Sequence, residues 1–310
     1  MTAAAAPAGA APRRPAKRRL ALALEPYLYT VPSVFLIALI MLVPLAVGLS
    51  YAFRDLVLLD PDSGGFVGLD NFRTLAADPA FWNALHNTVT WTVASVVLQF
   101  GLGFVLALLL DVPFRGRGLV QALVFLPWAV PSFLSGLNWA WLFNPVVGPL
   151  PHWFVALGLM ATPENILSSP DHALWGPIAA NVWWGVPFFA ITLLAALQSI
   201  PPDLYEAAAM DGAGAVRRFR AITLPFLAPT IAITVMLRTV WIANFADLIV
   251  VMTRGGPADS TQILSSYIFT QAFGRLDFGY ASAVAAVLLV LLLAYAAVLV
   301  TLRQTLLAGR

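Results

Sequence analysis

Six stretches of this chain stay apolar for long enough to cross a bilayer, and polar or proline-rich connections separate them. They cover residues 27–53, 81–110, 119–143, 173–197, 227–253 and 278–302. A helix needs about 20 mainly apolar residues to cross about 30 Å of hydrocarbon, and each stretch meets that length. Pro127 and Pro131 interrupt the third. Neighbouring helices can re-satisfy backbone groups freed by proline inside a membrane, so the third stretch is predicted as a kinked span. The pattern predicts an all-α, polytopic membrane protein: a six-helix membrane domain over residues 27–310, after a disordered basic tail over residues 1–26.

Composition agrees with the pattern. Of 310 residues, 60% are hydrophobic and 10% are charged, against roughly 45–50% and about 25% in soluble domains. The scarce charges are sorted by side. Arg13, Arg14, Lys17, Arg18, Arg19, Arg115, Arg117, Arg217, Arg218, Arg220, Arg303 and Arg310 fall on one side of the predicted spans, and Arg54, Arg73, Arg254 and Arg275 on the other. The rich side is expected to be cytoplasmic by the positive-inside rule, which places both termini inside, as an even number of spans requires. Nine of the fifteen acids lie in the opposite, external connections. Topology accounts for the basic balance, so no nucleic-acid partner is implied. The Ala/Pro/Arg-rich start has no apolar face, and the stretch behind it is long enough to span, which argues against a signal peptide. The external connection 144–172 carries five prolines around HWFVALGLM. It reads as an ordered lid with one small helix, either a docking surface for a soluble protein or a plain connector.

The connection 198–226, QSIPPDLYEAAAMDGAGAVRRFRAITLPF, is the long one on the basic side. Pro201 and Pro202 suit a helix start, Asp203 complements the dipole in its first turn, and the Ala-rich run from Tyr205 is strongly helix-forming. Gly212 and Gly214 stop it. A second short basic helix is expected over 215–221, with Leu224-Pro225 ending the loop. Within it, Glu206-Ala207-Ala208, then Gly212, then Ile222, then Leu224-Pro225 match in type and spacing the EAA signature of permease subunits of binding-protein-dependent ABC importers. The chain resembles that family over nearly its whole length after the tail. Phe66-Val67-Gly68-Leu69-Asp70-Asn71-Phe72, Asn181-Val182-Trp183-Trp184-Gly185-Val186-Pro187-Phe188, Gly255-Gly256-Pro257, Tyr267-Ile268-Phe269 and Asp277-Phe278-Gly279-Tyr280-Ala281 are similar to segments of the carbohydrate branch, that of the maltose, lactose and glycerol-phosphate permeases. The resemblance implies the type I ABC importer permease fold in a bacterial inner membrane. It also implies a second, related permease, two ATPase subunits holding ATP and Mg, and an external solute-binding protein delivering a sugar-type solute. Glu206, Ala207, Ala208, Asp211, Gly212, Ile222, Leu224 and Pro225 would then form the ATPase-coupling element. The chain lacks the large extra external domain of the maltose permease, so contacts made by that domain do not carry over.

Polar groups at mid-membrane mark candidate solute contacts, because an ionisable group there costs about 2.5–3.5 kcal/mol and tends to be functional. Arg238, Trp241 and Phe245 recur at steps of three and four and share a helical face, while Asn244 and Asp247 lie on an adjoining one. Arg238 and Asp247, nine residues apart, are not a natural pair within one helix. Aligned on the EAA loop, the sugar contacts of maltose-type permeases fall at Trp184, Gly185 and Phe188 and at Arg238, Trp241, Ile242 and Phe245. The resemblance therefore implies a substrate pathway that takes in these residues and Asn244. The fifth-span residues depart from the small polar groups and asparagines of the maltose permease. Arg238 would suit an anionic or strongly polar group on the solute, or hold a carbonyl or acid of the partner permease.

The remaining chemistry excludes other classes. Cysteine is absent and His86, His152 and His172 are scattered, so no metal or cofactor site is expected in this chain. No HExxH, GxSxG or Walker-type phosphate loop occurs, hence no enzyme and no ATP hydrolysis by this chain alone. An ion-coupled secondary transporter is the alternative. It would need acids in repeated halves, and Asp247 is nearly the only deep one. Trp82, Trp139, Trp141, Trp153 and Trp175 read as an aromatic belt against membrane lipid. Gly101 and Gly103, with Ala281, Ala283, Ala285 and Ala286, read as close-packing positions.

Overall fold

The computed structural model describes residues 16–308, and the chain divides into residues 1–50 and 51–310. In the first part, α1 (Ala16–Ile37), a π-helical turn (Ala38–Leu42) and α2 (Val43–Tyr51) follow one another without a break. The membrane-crossing portion is Tyr27–Tyr51. The helix begins earlier than expected, since residues 16–26, assigned to a disordered tail, are helical; Leu, Ala, Lys and Arg are all good helix formers. The tail residues 1–15 lie outside the described residues.

The second part carries α3 (Asp70–Ala77), α4 (Pro79–Asp111), α5 (Arg117–Ala129), α6 (Ser132–Leu142), α7 (Pro149–Ala156) and α8 (Trp175–Gln198). It continues through α9 (Pro202–Met210), α10 (Ala215–Arg218), α11 (Leu224–Ala243), α12 (Asp247–Met252), α13 (Leu264–Phe269) and α14 (Phe278–Ala308). Among the described residues, five helical segments are long and apolar enough to span a membrane, or six when the bent pair α5–α6 counts as one. α8 is the hub, packed against α4, α5, α6, α11 and α12. Gly103 makes the α4–α8 approach possible, for a Cβ there would stand 2.6 Å from that of Phe189. Gly101 meets nothing comparable.

Three expectations are corrected. The kink expected in the third span is a full break: α5 and α6 meet at 95°, at Val130-Pro131. The fifth span is interrupted at residues 244–246 before α12 resumes. The expected second short helix of the long loop is no separate element. α10 runs through a π-turn (Phe219–Thr223) directly into α11, so Leu224-Pro225 begins the span instead of ending the loop. Proline supplies the reason. Its ring collides with the carbonyl four residues back, and it cannot donate. In the widened turn the Leu224 N–H reaches back five residues to the Phe219 carbonyl. The same device precedes Pro44, where Val43 N–H reaches Ala38.

At the face opposite the long loop, Asp78 ties three segments together. It caps α4 by accepting from Ala80 N at 2.9 Å, and its other oxygen accepts from the Tyr267 and Tyr280 hydroxyls at 2.6 Å each. Burial acts to raise the Asp78 carboxyl, but the two phenols, the Ala80 N–H and the charge of Arg275 outweigh it and hold it below the usual carboxylate range. Burial, reinforced by the bond to Asp78, pushes the Tyr267 phenol up to about 12, so it stays a donor at neutral pH. Asp78→Asn should destabilise the protein by about 2 kcal/mol through the weakened cap and weakened phenol bonds. A carboxyl lowered by folding stabilises above its unfolded pKa, near 3.8, and loses that contribution as pH falls through the folded value. The melting-temperature gap between wild type and Asp78→Asn in detergent should therefore be full at neutral pH and close only below about pH 4.

Candidate functional site: a mid-membrane cavity around Arg238

α4 carries the first part of the site as a polar stripe inside an apolar helix. Thr88, Thr92, Ser95 and Gln99 are all buried, and their four-three-four spacing puts them on one face. Near the helix start this face organises the neighbouring loop: Asn87 donates to the Ser260 and Gln262 carbonyls at 3.0 Å, and Leu264 N donates to Thr88 Oγ1 at 2.8 Å. Deeper in, Trp91 Nε1 donates to the Ile242 carbonyl at 2.9 Å, just before the break in the fifth span.

Gln99 meets the arginine. Arg238 is only 2% exposed, and its Nε donates to Gln99 Oε1 at 2.7 Å. Gln99 Nε2 in turn donates to the Asn181 carbonyl at 2.9 Å. Among the described residues no carboxylate lies within 4 Å of Arg238; their one ion pair, Arg73–Asp70, is elsewhere and exposed. Aromatic rings stand in for a counter-charge, with the guanidinium carbon 5.3 Å from the Trp184 ring, 5.6 Å from Phe188 and 5.8 Å from Trp241. Desolvated contacts of this kind are each worth about 2 kcal/mol. Phe245 stacks on Trp184 at 5.3 Å. Gly185 leaves the space: a Cβ there would collide with Arg238 Nη2 and the Gln99 amide.

These side chains enclose a cavity of about 110 Å³ lined by Asn181, Trp184, Arg238, Trp241, Ile242 and Phe245. The structure brings Arg238, Trp241, Phe245, Trp184, Phe188 and Gly185 together. Asn244 is not among them; it is exposed and donates to its own Val240 carbonyl at 2.9 Å. Asp247 stands at the start of α12, where the helix dipole favours an anion, and accepts from Ser132 Oγ at 2.6 Å. That bond joins the two broken spans, and Trp184 Nε1 adds a second tie by donating to the Val130 carbonyl at 2.9 Å. Sequence reasoning missed Gln99 and Asn181. The polar stripe of α4 was the signal for Gln99, whereas Asn181 had been read only as part of a resemblance.

The long loop ends α9 in a Schellman motif. Gly212 sits at φ +75°, its N–H donates to the Ala209 carbonyl at 3.0 Å, and Ala213 N donates to Ala208 at 2.9 Å. This arrangement closes the last carbonyls of the helix. Glu206, Ala207 and Asp211 are exposed. Ile222, in the π-turn, and Tyr205 pack against the apolar core, and the Tyr205 hydroxyl bonds Thr223 Oγ1 at 2.9 Å.

Two broken spans thus meet at a small, mainly aromatic cavity holding one amide and one guanidinium, and an exposed helix is mounted on the long loop. The chain belongs to the family described as "Binding-protein-dependent transport system inner membrane component", whose profile matches residues 99–306. It is 38% identical over 230 residues to the trehalose/maltose transport system permease protein MalF of Thermococcus litoralis, covering 74% of this chain and 77% of that one. It is 36% identical over 276 residues to the sulfoquinovosyl glycerol transport system permease protein SmoG of Agrobacterium fabrum, with 88% of each chain covered. A bacterial ABC transporter that imports the acidic polysaccharide alginate has a chain of the same fold, with TM-score 0.78 and 26% identity over 93% of this chain and 99% of that one. The type I importer permease fold and a transport role, not an enzymatic one, follow. The ion-coupled carrier is set aside, because the chain belongs to the binding-protein-dependent transport family.

Gln99→Leu should strand the guanidinium and lower stability by about 2–3 kcal/mol, read as a lower melting temperature in detergent. Gln99→Glu, which keeps the acceptor and adds a counter-charge but loses the donor to the Asn181 carbonyl, should melt above Gln99→Leu.

Proposed function

We propose that this chain is the carbohydrate-conducting permease subunit of an ABC importer in a bacterial inner membrane, with both termini cytoplasmic. It pairs with a second, homologous permease. Two ATPase subunits, which bind ATP and Mg, engage the cytoplasmic face, and an external solute-binding protein delivers the solute to the other. The named solutes of the relatives, trehalose/maltose and sulfoquinovosyl glycerol, support a sugar or sugar derivative. The alginate transporter has also been captured with its pentasaccharide-bound periplasmic protein, which supports the external partner.

One observation carries the reading: the exposed loop and the cavity are two ends of one mechanical element. α9 is clamped through Tyr205 to Thr223, and the helix continues from there to Arg238, fifteen residues or about 22 Å away. A push on α9 therefore reaches the guanidinium through hydrogen-bonded backbone. In this conformation the cavity has room for a few waters, so a glycosyl ring enters only when α8 and α11 separate. Glu206, Ala207, Ala208, Asp211 and Gly212 present the docking face. Ile222, Leu224 and Pro225 carry its movement into α11. Trp184, Gly185, Phe188, Arg238, Trp241, Asn244 and Phe245 border the pathway, Asn244 from just outside the cavity.

Glu206→Ala should abolish ATP-driven sugar uptake in proteoliposomes while leaving insertion intact. Gly212→Ala, which forces a side chain into left-handed backbone at about 1–2 kcal/mol, should do the same. Normal uptake in both variants would refute the coupling assignment.

A further inference from the structure

The connection that follows the broken third span differs from the others on its side. No Asp, Glu, Lys or Arg occurs between Arg117 and Glu164, whereas the first connection on that face is charged from Arg54 to Asp78. The exposed side chains of this uncharged stretch are large and apolar: Val146, Val147, Trp153, Leu157 and Leu159 are 58–82% exposed. Trp153 and Leu157 share one face of α7, while Leu150 and Phe154 pack against the core. The height gained by the broken span places this patch. α5 has 13 residues and α6 has 11, so one straight helix of both would rise about 36 Å. Bent by 95°, the two reach only about 25 Å end to end, against about 30 Å of hydrocarbon. With Arg117 at one boundary of the bilayer, Leu142 ends close to the other, and α7 begins a short turn later. The backbone suits the same depth. Asn144 Oδ1 accepts from Val146 N at 2.9 Å and Val147 N at 3.2 Å, and Gly148 N donates to the Asn144 carbonyl at 2.9 Å. After α7, the N–H groups of Leu157, Gly158 and Leu159 donate to the Trp153, Val155 and Phe154 carbonyls. Water satisfies such groups in a solvated loop; at the edge of hydrocarbon the chain must do so itself.

We propose that residues 144–160, centred on α7, are seated in lipid, with their exposed face in the glycerol and upper acyl region of the leaflet opposite the long loop. The partner is bilayer phospholipid of either charge, because the segment has no Lys or Arg to select a headgroup. Trp153, like Trp141 on α6 and Trp175 on α8, is exposed, and an indole is the amphipathic ring that such boundaries favour. A soluble partner that came and went would leave this apolar patch in water between visits, a hazard for a folded protein. Lipid covers it continuously. Charge returns at Glu164 and Asp171, so 164–172 is the part of the connection left to water. A soluble protein docking on this connection therefore engages 164–172 and not α7.

The chain contains no cysteine, so a nitroxide can be attached at single sites: Trp153→Cys, Leu157→Cys and Leu159→Cys, with the exposed Asp62→Cys as the aqueous reference. The complete importer is reconstituted in vesicles of phosphatidylcholine, alone or with phosphatidylglycerol. Power-saturation EPR then compares collisions with oxygen, which concentrates in hydrocarbon, and with a neutral nickel chelate, which stays in water. All three sites should meet oxygen severalfold more, and nickel severalfold less, than residue 62, to the same extent in both lipids. Val147→Cys should behave likewise, and it guards against a label that lifts α7 from its seat. Nickel access equal to that at residue 62 overturns the proposal. So does exclusion of both reagents, which is the signature of cover by a second permease. Shielding from nickel that appears only when solute-loaded binding protein is added overturns it too, and makes the patch a protein-docking surface. Protection confined to phosphatidylglycerol vesicles overturns the assignment to lipid of either charge.

Discussion

Inside hydrocarbon, every backbone polar group and every charge must find its partner within the protein, and the membrane core of this chain is organised around that demand. Breaking two spans frees carbonyls from their helical partners. Trp184 Nε1 meets the carbonyl at Val130 and Trp91 Nε1 the one at Ile242. Ser132 and Asp247 join the two breaks directly. The arginine that accompanies these breaks is held by one amide and three aromatic faces. The polar stripe of α4 and the indoles of α4 and α8 are thus the condition on which discontinuous helices exist here.

Discontinuity has a mechanical consequence. A continuous helix transmits a push along its axis, and a break lets the two sides move separately. The stretch from α10 to Ala243 is continuous, widened once at the π-turn that accommodates Pro225. It is pinned to α9 by the Tyr205–Thr223 bond and ends at the break beside the cavity. Glycines set how closely the moving parts pack. Gly103 seats α4 on α8, and Gly185 lets Gln99 and Arg238 meet across α8. An alanine at either position would push apart surfaces that have little freedom to adjust.

Much of this was legible in the chain itself, and the misses share a cause. The apolar runs, the α9 caps and the common face of Arg238, Trp241 and Phe245 depend on composition and on the 3.6-residue period, which are local properties. The π-turn at Phe219–Thr223 was missed because Leu224-Pro225 is a plausible stop signal whenever the preceding turn cannot widen. Asn244, which the helical period sets on a face adjoining that of Arg238, bonds its own Val240 carbonyl where the helix breaks. Gln99 escaped because it lies 139 residues from the arginine it serves.

What the sequence by itself determined, then, was which segments are apolar enough for the membrane, where α9 starts and stops, and which residues belong to the EAA signature. Each follows from side chains within a few turns of one another. Only the tertiary structure decided the 95° turn between α5 and α6, the break before Asp247, and the meeting of Gln99 with Arg238 beside a cavity that Asn181 also lines. Those outcomes depend on which distant group satisfies an exposed carbonyl or an unpaired guanidinium. In a medium that offers no water, that choice is made by whole helices packing together.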